Sequence, residues 1–211
     1  MNRPLRIGLD VDGVFADFSS AYMRLIIRLT GRDLFLENDW GHPPCWDWDL
    51  MRGYSEDERT LAFDTIATTP DWWFHLLPVG PLPCMETPAA RMSHAGDVFD
   101  AHEVYFISNR VGLHARSQTA QWIKLYMGIP EPTVLIVGHR VKGSTAKALN
   151  LDVYLDDNYD NCTDCLRESP TTRTYLFNRS YNVGPEINRV EQVEQRRVHS
   201  IQEFLDCEGL L

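Results

Sequence analysis

The chain has 211 residues, of which 44% are hydrophobic and 24% are charged, and its formal net charge is -10. This length and composition suit one globular α/β domain, or such a domain with a small insert. The negative charge argues against general binding to nucleic acids or membrane surfaces, and no stretch has the ~20 consecutive apolar residues that span a bilayer. A small anionic substrate is compatible with this charge, because a metal ion or a local cation can reverse the potential inside a pocket.

The sequence contains five cysteines, an odd number, and its N-terminus runs into a strand pattern without a hydrophobic signal core. Both features predict a protein of a reducing compartment, and we expect a cytoplasmic location. Cys162 and Cys165 have the spacing of a metal or redox pair. Because the sequence holds no second pair of this kind, a packing role is favoured for them.

Short apolar runs alternate with amphipathic stretches along the chain. The runs cover residues 5–10, 104–108, 134–137, 153–156 and 174–177. Their length and their β-branched or aromatic content predict buried strands. The spacing of apolar residues predicts helices over residues 16–29, 55–68, 114–127 and 142–149. This alternation predicts an α/β fold with a Rossmann-like parallel sheet that is covered on both faces.

The segment between the first two predicted strands has a composition of its own. Residues 31–83 hold all but one of the six tryptophans, and they are too many for a simple loop. We assign them to a small, mainly helical cap inserted after the first strand, and we assign residues 1–30 and 84–211 to the α/β core. Such a cap would lie over the carboxyl ends of the strands, where open α/β sheets bind ligands. Its aromatic residues suit a closed pocket or a homodimer interface.

Two acids one residue apart follow the first predicted strand. Asp10 and Asp12 flank Val11, and Gly13 comes directly after them. The two carboxylates share one side, because alternate residues of an extended chain point the same way. Gly13 lets the backbone turn sharply and approach a ligand closely. This arrangement predicts a site for a metal ion and a phosphate group.

Further polar side chains stand at later strand ends and at a helix start. They are Ser108, Asn109 and Arg110 after the second predicted strand, Lys142 at a helix start, and Asp156 and Asp157 after the fourth strand. Two pairs of acids can hold one hard cation such as Mg²⁺ through oxygen ligands. A hydroxyl, a lysine and an arginine can bind phosphate oxygens. Lys147 is the alternative to Lys142 as the lysine of the site, but we expect its side chain to point to solvent.

In this order, Asp-x-Asp-Gly-Val, a strand-end Ser, a Lys and Asp-Asp resemble the four motifs of the haloacid dehalogenase (HAD) superfamily of phosphohydrolases. The longer start DVDGVFADF, from Asp10 to Phe18, more narrowly resembles the 5'(3')-deoxyribonucleotidase family. The segment QTAQW at residues 118–122 and Asn182 agree with that family. The nucleotidases often have threonine at the second motif, where this chain has Ser108 and keeps the hydroxyl.

The resemblance implies a role for each matched residue. Asp10 is implied to be the nucleophile that forms an aspartyl-phosphate. Asp12 is implied to be the general acid and base, and to bind Mg²⁺ through its backbone carbonyl. Ser108 is implied to bind the phosphate, and Lys142 to neutralise both the phosphate and the nucleophile.

The metal site implied by the resemblance consists of Asp10, Asp12, Asp156 and Asp157. Which of the last two contacts the ion directly is left open. Phe18 matches a position where the nucleotidases place an aromatic ring near the substrate. Asn109 and Arg110, which follow the phosphate-binding serine, are expected to add contacts to the substrate phosphate. For Arg110, a place as a surface cation is an equal alternative.

We therefore expect a Mg²⁺-dependent phosphomonoesterase that acts on (deoxy)ribonucleoside monophosphates. A sugar phosphate or another small phosphoester is the alternative substrate. The cap would select between them, and its sequence indicates the substrate less clearly than the four motifs indicate the chemistry. Trp46, Trp48, Trp72 and Trp73 are candidates for a stacking wall, although packing is the commoner role of such residues. A non-catalytic binding module of the same fold would be expected to lack a motif acid or the lysine, and this chain has them all.

Overall fold

The computed structural model describes residues 3–79, 101–183 and 190–210. Its strands are β1 (Arg6–Leu9), β2 (Glu103–Ser108), β3 (Thr133–Ile136), β4 (Val153–Asp156), β5 (Arg173–Phe177) and β6 (Arg197–Val198). All six are parallel and form one sheet in the order β3-β2-β1-β4-β5-β6. The predicted parallel α/β fold and its five strands are confirmed. β6 was not predicted, because a strand of two residues shows no periodicity.

The helices of the described residues are α1 (Phe18–Thr30), α2 (Trp48–Met51), α3 (Glu56–Thr68), α4 (Ala115–Met127), α5 (Lys142–Ala148), α6 (Tyr159–Glu168), α7 (Glu191–Glu194) and α8 (Ile201–Glu208). Asp17 caps the start of α1, and Gly31 ends it with a left-handed backbone. Ser55 caps α3, and Glu58 completes the capping box. No helix in the described ranges is both long and apolar enough to cross a membrane.

The sheet separates two groups of buried apolar side chains. On one face, Leu9 and Phe106 of neighbouring strands belong to the same buried cluster as Trp122 of α4. The indole of Trp122 also donates a hydrogen bond to the carbonyl of Leu76 at 2.8 Å, which ties α4 to the segment before β2. Ile107, next to Phe106, lies in a second buried cluster. Burial of both faces is what a parallel sheet requires.

The described residues 10–79, which follow β1, contain the helices α1, α2 and α3, in agreement with the predicted fold. α1 packs against α3, and a 3₁₀ turn forms at Trp73–His75. The residues after this turn are tied to those before α1 by two backbone hydrogen bonds, from Asp17 to Leu77 at 2.8 Å and from Val79 to Phe15 at 2.7 Å. The boundaries of a cap over residues 31–83 stay a prediction, and residues 80–83 lie outside the described part of the chain.

Candidate active site

The residues predicted to carry the chemistry meet at the carboxyl edge of the sheet. β1 lies between β2 and β4, and Leu9 pairs with Leu155 in the register of β1 with β4. Asp10 follows directly, and its backbone nitrogen donates to the carbonyl of Leu155 at 2.9 Å. Ser108 at the end of β2 and Asp156 at the end of β4 therefore flank Asp10. The strand order reverses here, and open α/β sheets bind ligands at such a point.

Asp10, Asp156 and Asp157 form a buried carboxylate cluster. One oxygen of each side chain lies within 4.8 Å of the others, and no other group of acids, histidines and cysteines in the described ranges has this spacing. Burial raises the pKa of Asp10 well above its ordinary value, and burial with repulsion from Asp156 raises the pKa of Asp157 to about 7. A hard divalent cation prefers such oxygen ligands and would offset their repulsion. The donor set therefore fits Mg²⁺.

Lys142 bridges two of these acids. Its Nζ lies 2.6 Å from Oδ1 of Asp10 and 2.8 Å from Oδ2 of Asp156, and all three residues are buried. Burial opposes the charged ammonium, but the attraction of the two carboxylates outweighs it and raises the pKa of Lys142. The two carboxylates therefore favour the charged form of the lysine. Lys147, its rival in the sequence, is exposed as expected.

Close packing of α5 on α6 determines where Lys142 lies. A Cβ at Gly143 would come within 2.5 Å of the carbonyl oxygen of Asp164 in α6, so this approach requires glycine. The backbone nitrogen of Gly143 also donates to Oδ2 of Asp164 at 3.0 Å. Since α5 begins at Lys142, these contacts fix the start of the helix beside the carboxylate cluster.

The neighbouring acids Asp156 and Asp157 are held in different ways. Asp156 is fully enclosed and accepts hydrogen bonds from Lys142, the hydroxyl of Tyr154, the backbone nitrogen of Asn158 and the side-chain amide of Asn161. Asp157 lines the cavity together with Asp10. The carboxylate of Asp156 is thus already surrounded by donors, whereas Asp157 is the member of the pair that faces the cavity.

Residues beyond β5 hold Asp157 in place. The hydroxyl of Tyr181 donates to its carboxylate, and the side-chain amide of Asn182 donates to its backbone carbonyl at 2.8 Å. Arg179 donates through Nε to the carbonyl of Gly13, which ties this segment to the turn after β1. Tyr181 and Arg179 were not predicted, because they stand in a 3₁₀ turn and a loop without a motif or a periodic pattern.

Asp12 faces the end of β2. Its carboxylate accepts hydrogen bonds from Oγ of Ser108 at 3.0 Å and from Nε and Nη2 of Arg110 at 2.8 and 2.7 Å. The side chain of Arg110 is fully buried, whereas Asn109 is exposed and lines the cavity. Ser108 and Arg110 were predicted to contact the phosphate of a substrate, and the structure places both of them on Asp12.

A cavity of about 560 Å³ lies between these residues and the helical insert. One side of it is an aromatic wall, made of Phe18, Tyr22, Phe63 and Trp73. Phe18 stands in the middle of this wall, and its ring is stacked at centroid distances of 5.8 Å from Trp73 and 6.3 Å from Phe63. The structure therefore brings Phe18, the first residue of α1, to the cavity.

Charged side chains of the insert line the cavity next to the aromatic wall. Asp49 accepts hydrogen bonds from the hydroxyl of Tyr22 at 2.7 Å and from Nε and Nη2 of Arg59. Burial works against the charged form, but these hydrogen bonds outweigh it and lower the pKa of Asp49. Arg59 also lies 3.1 Å from Asp47 and is partly exposed to the cavity. The cluster of Asp47, Asp49 and Arg59 was not predicted from the sequence.

Three of the four tryptophans that were candidates for a stacking wall line the cavity. Trp46, Trp48 and Trp73 line the cavity, whereas Trp72 lies outside its lining. His139 and Arg140, on the loop before α5, are exposed at the cavity as well. Neither residue belongs to a motif or to a predicted strand or helix.

The fold is similar to that of solved structures from one class of enzymes. An L-2-haloacid dehalogenase is 13% identical over 97% of this chain and 99% of that one, with a TM-score of 0.53. A HAD family hydrolase from Deinococcus radiodurans with bound phosphate and sodium is 12% identical over 100% and 99%, with a TM-score of 0.54. A candidate HAD hydrolase from Bacillus subtilis bound to magnesium is 10% identical over 99% and 100%, also at 0.54.

The chain therefore has the fold of the HAD-superfamily hydrolases, as the four motifs predicted. No protein-family model and no curated protein matches the sequence. The narrower resemblance to the deoxyribonucleotidases stays a prediction.

Proposed function

We propose that this protein is a Mg²⁺-dependent phosphomonoesterase that works through an aspartyl-phosphate on Asp10. The observation that supports it most is the position of Lys142, whose ammonium touches Asp10 and Asp156 beside the cavity-facing Asp157. A carboxylate repels an anionic phosphate, but a fixed cation and a metal ion beside it offset this repulsion. The carboxylate can then act as a nucleophile towards the phosphate.

In the proposed reaction, a carboxylate oxygen of Asp10 attacks the phosphorus as the bond to the leaving oxygen breaks. Asp12 gives a proton to that leaving oxygen, and the phosphoryl group stays on Asp10. Asp12 then takes a proton from a water molecule, which attacks the phosphorus, releases inorganic phosphate and regenerates Asp10. Lys142 offsets negative charge on Asp10 and on the phosphate during both steps.

Asp10, Asp157 and the backbone carbonyl of Asp12 are the groups proposed to hold the metal ion, with Asp156 behind them. When bound, Mg²⁺ supplies positive charge that offsets the carboxylates and the phosphate oxygens. The cluster supports this assignment, because it sets three buried carboxylates against a single lysine. The magnesium and the phosphate bound to two of the structural relatives are consistent with it.

We propose a nucleoside monophosphate as the substrate. The aromatic wall offers a surface on which a base can stack, which contributes about 1–3 kcal/mol per base in other systems. The carboxylate of Asp49 and the guanidinium of Arg59 line the same cavity, where they can bind polar edges of a base. A cavity of about 560 Å³ is large enough for a nucleotide. A sugar phosphate remains the alternative.

A substrate panel tests the proposal. The purified protein is assayed with and without Mg²⁺ on dUMP, dTMP, glucose 6-phosphate and p-nitrophenyl phosphate, with L-2-chloropropionate as the dehalogenase substrate. We expect Mg²⁺-dependent phosphate release that is fastest with the nucleotides. Faster release from the sugar phosphate would overturn the nucleotide assignment alone. Chloride release, or no phosphate release from any substrate, would overturn the proposed reaction.

A further inference from the structure

Arg110 forms a two-point contact with Asp12 from a completely buried position. Nε and Nη2 of the guanidinium lie 2.8 and 2.7 Å from the two carboxylate oxygens of Asp12. The side chain of Arg110 has 0% exposure, whereas that of Asp12 has 21% and lines the cavity. The cation is thus enclosed, and the carboxylate that it holds is the member of the pair that faces a substrate.

The guanidinium of Arg110 is itself held from two further directions. Nη1 donates to Oγ1 of Thr119 in α4 at 2.7 Å, and the ring of Trp73 lies over the guanidinium at 4.7 Å. Trp73 is fixed in turn, because its backbone nitrogen donates to Gln118 at 2.9 Å and its indole donates to the carbonyl of Val111 at 2.8 Å. Arg110 is therefore a rigid group, not a mobile surface cation.

We infer that Arg110 is a positioning residue, which fixes the carboxylate of Asp12 for proton transfer to the leaving oxygen. The inference rests on the proposed function. An aspartate at the surface of a cavity can rotate about its side-chain bonds, and a displacement of about 1 Å from the reacting atoms can cost ~100-fold in rate. The two parallel hydrogen bonds remove this freedom. Oδ1 of Asp12 accepts only from Nη2 of Arg110, whereas Oδ2 also accepts from Ser108, so Oδ1 is the freer oxygen for the proton.

Contacts through Trp73 connect Arg110 to the aromatic wall of the cavity. The ring of Trp73 lies 4.7 Å from the guanidinium of Arg110 and stacks on Phe18 of the aromatic wall at 5.8 Å. A base that stacks on the wall would thus lie next to the group that orients Asp12. These contacts link the stacking of a base on the aromatic wall to proton transfer by Asp12.

The test measures how the rate depends on the leaving group. p-Nitrophenolate leaves without a proton, whereas benzyl alcohol needs one, so only the second reaction depends on Asp12 as an acid. kcat/KM for p-nitrophenyl, phenyl and benzyl phosphate is measured for the wild type and for Arg110→Gln, Arg110→Lys and Thr119→Val. kcat/KM reports the steps up to phosphoryl transfer, so slow hydrolysis of the aspartyl-phosphate does not affect it.

We expect Arg110→Gln to lower kcat/KM by ~100-fold for benzyl phosphate and by less than ~5-fold for p-nitrophenyl phosphate. Arg110→Lys should recover only part of the loss, because an ammonium cannot bind a carboxylate at two points. Thr119→Val, which keeps Arg110 and removes one of its partners, should show a smaller loss with the same dependence on leaving group. Asp12→Asn should show the strongest dependence of kcat/KM on the leaving group. The double variant of Asp12→Asn with Arg110→Gln should lose little more kcat/KM than Asp12→Asn alone.

Equal losses across the three phosphates, in Arg110→Gln and in Thr119→Val alike, would overturn the inference, since a structural role or a direct phosphate contact lowers all rates together. Such a result would leave the proposed function standing as long as the wild type hydrolyses all three substrates. No turnover of these phosphates or of a nucleoside monophosphate by the wild type would instead overturn the proposed function and this inference with it.

Discussion

Gly13 and Asp157 come so close that no side chain fits at position 13, in the turn after β1. Gly13 has φ +75°, and a Cβ there would lie 2.7 Å from the carboxyl carbon of Asp157 and would also overlap the hydroxyl of Tyr181. Glycine is therefore required twice at this position, once for its backbone conformation and once for the space that Asp157 occupies. The acid pair after β1 and the acid pair after β4 meet through this contact.

Replacing Gly13 by alanine should displace Asp157 and weaken the metal site. We expect a loss of at least ~100-fold in Mg²⁺-dependent activity, together with a destabilisation of about 2–4 kcal/mol from backbone strain and overlap. Gly31→Ala is the matched control, because Gly31 has φ +68° but nothing within 4 Å of its Cβ position. It should cost about 1–2 kcal/mol in urea denaturation and leave activity unchanged. Similar activity of the two variants would contradict the role given to this contact.

Replacing Lys142 by methionine should abolish most of the turnover while keeping the volume of the side chain. Loss of one preorganised cation at a developing charge costs about 100- to 1,000-fold in kcat in other enzymes. Lys147→Met is the control, because Lys147 is exposed on the same helix. It should change kcat less than twofold and stability by less than about 0.5 kcal/mol. Equal effects of the two substitutions on kcat would show that Lys142 has no special role.

Asp157→Asn should weaken the binding of Mg²⁺ more than it disturbs the fold. Removing one charged oxygen ligand is expected to lower the affinity at least ~10-fold. The measurement is the Mg²⁺ dependence of the melting temperature, since an ion at 100 times its Kd stabilises the folded state by ~2.7 kcal/mol. Asp160→Asn removes an exposed acid from the same cavity and serves as the control. Wild-type Mg²⁺ affinity in Asp157→Asn would contradict the proposed ligand set.

Phe63→Ala should raise KM for a nucleoside monophosphate about 10-fold, because a stacked base loses about 1–3 kcal/mol without its aromatic partner. KM for glycerol 3-phosphate, which has no base, should stay within twofold. Leu61→Ala is the control, since Leu61 is an exposed apolar residue of the same helix that lies outside the cavity lining. An equal rise in KM for both substrates would argue against stacking on the aromatic wall.

The sequence was sufficient to predict the parts of the protein that depend on local patterns. Buried parallel strands are continuous apolar runs, so β1 and β4 could be predicted together with Asp10 and Asp156 at their ends. The capping box of Ser55 and Glu58 was predictable for the same reason, because it depends on residues three positions apart. Because parallel strands have their carboxyl ends at the same edge of a sheet, the meeting of these acids follows from the predicted strands alone.

Contacts between residues far apart in the chain could not be predicted. Arg110 was expected on a phosphate, yet its partners Asp12 and Trp73 reach it only after the sheet and the insert have formed. Tyr181 contacts Asp157 from a 3₁₀ turn that no periodic pattern marks. Local sequence contains the donors and acceptors, but tertiary packing decides which of them meet.

The central claim is that the carboxylate of Asp10 becomes phosphorylated during turnover. The most direct measurement is rapid acid quenching of the enzyme with Mg²⁺ and a nucleoside monophosphate, followed by borohydride reduction and peptide mass spectrometry. An acyl phosphate is reduced to an alcohol, so the account predicts homoserine at position 10 in the wild type and unmodified asparagine with no turnover in Asp10→Asn. Turnover by Asp10→Asn, or reduction at another acid such as Asp12, would contradict the account.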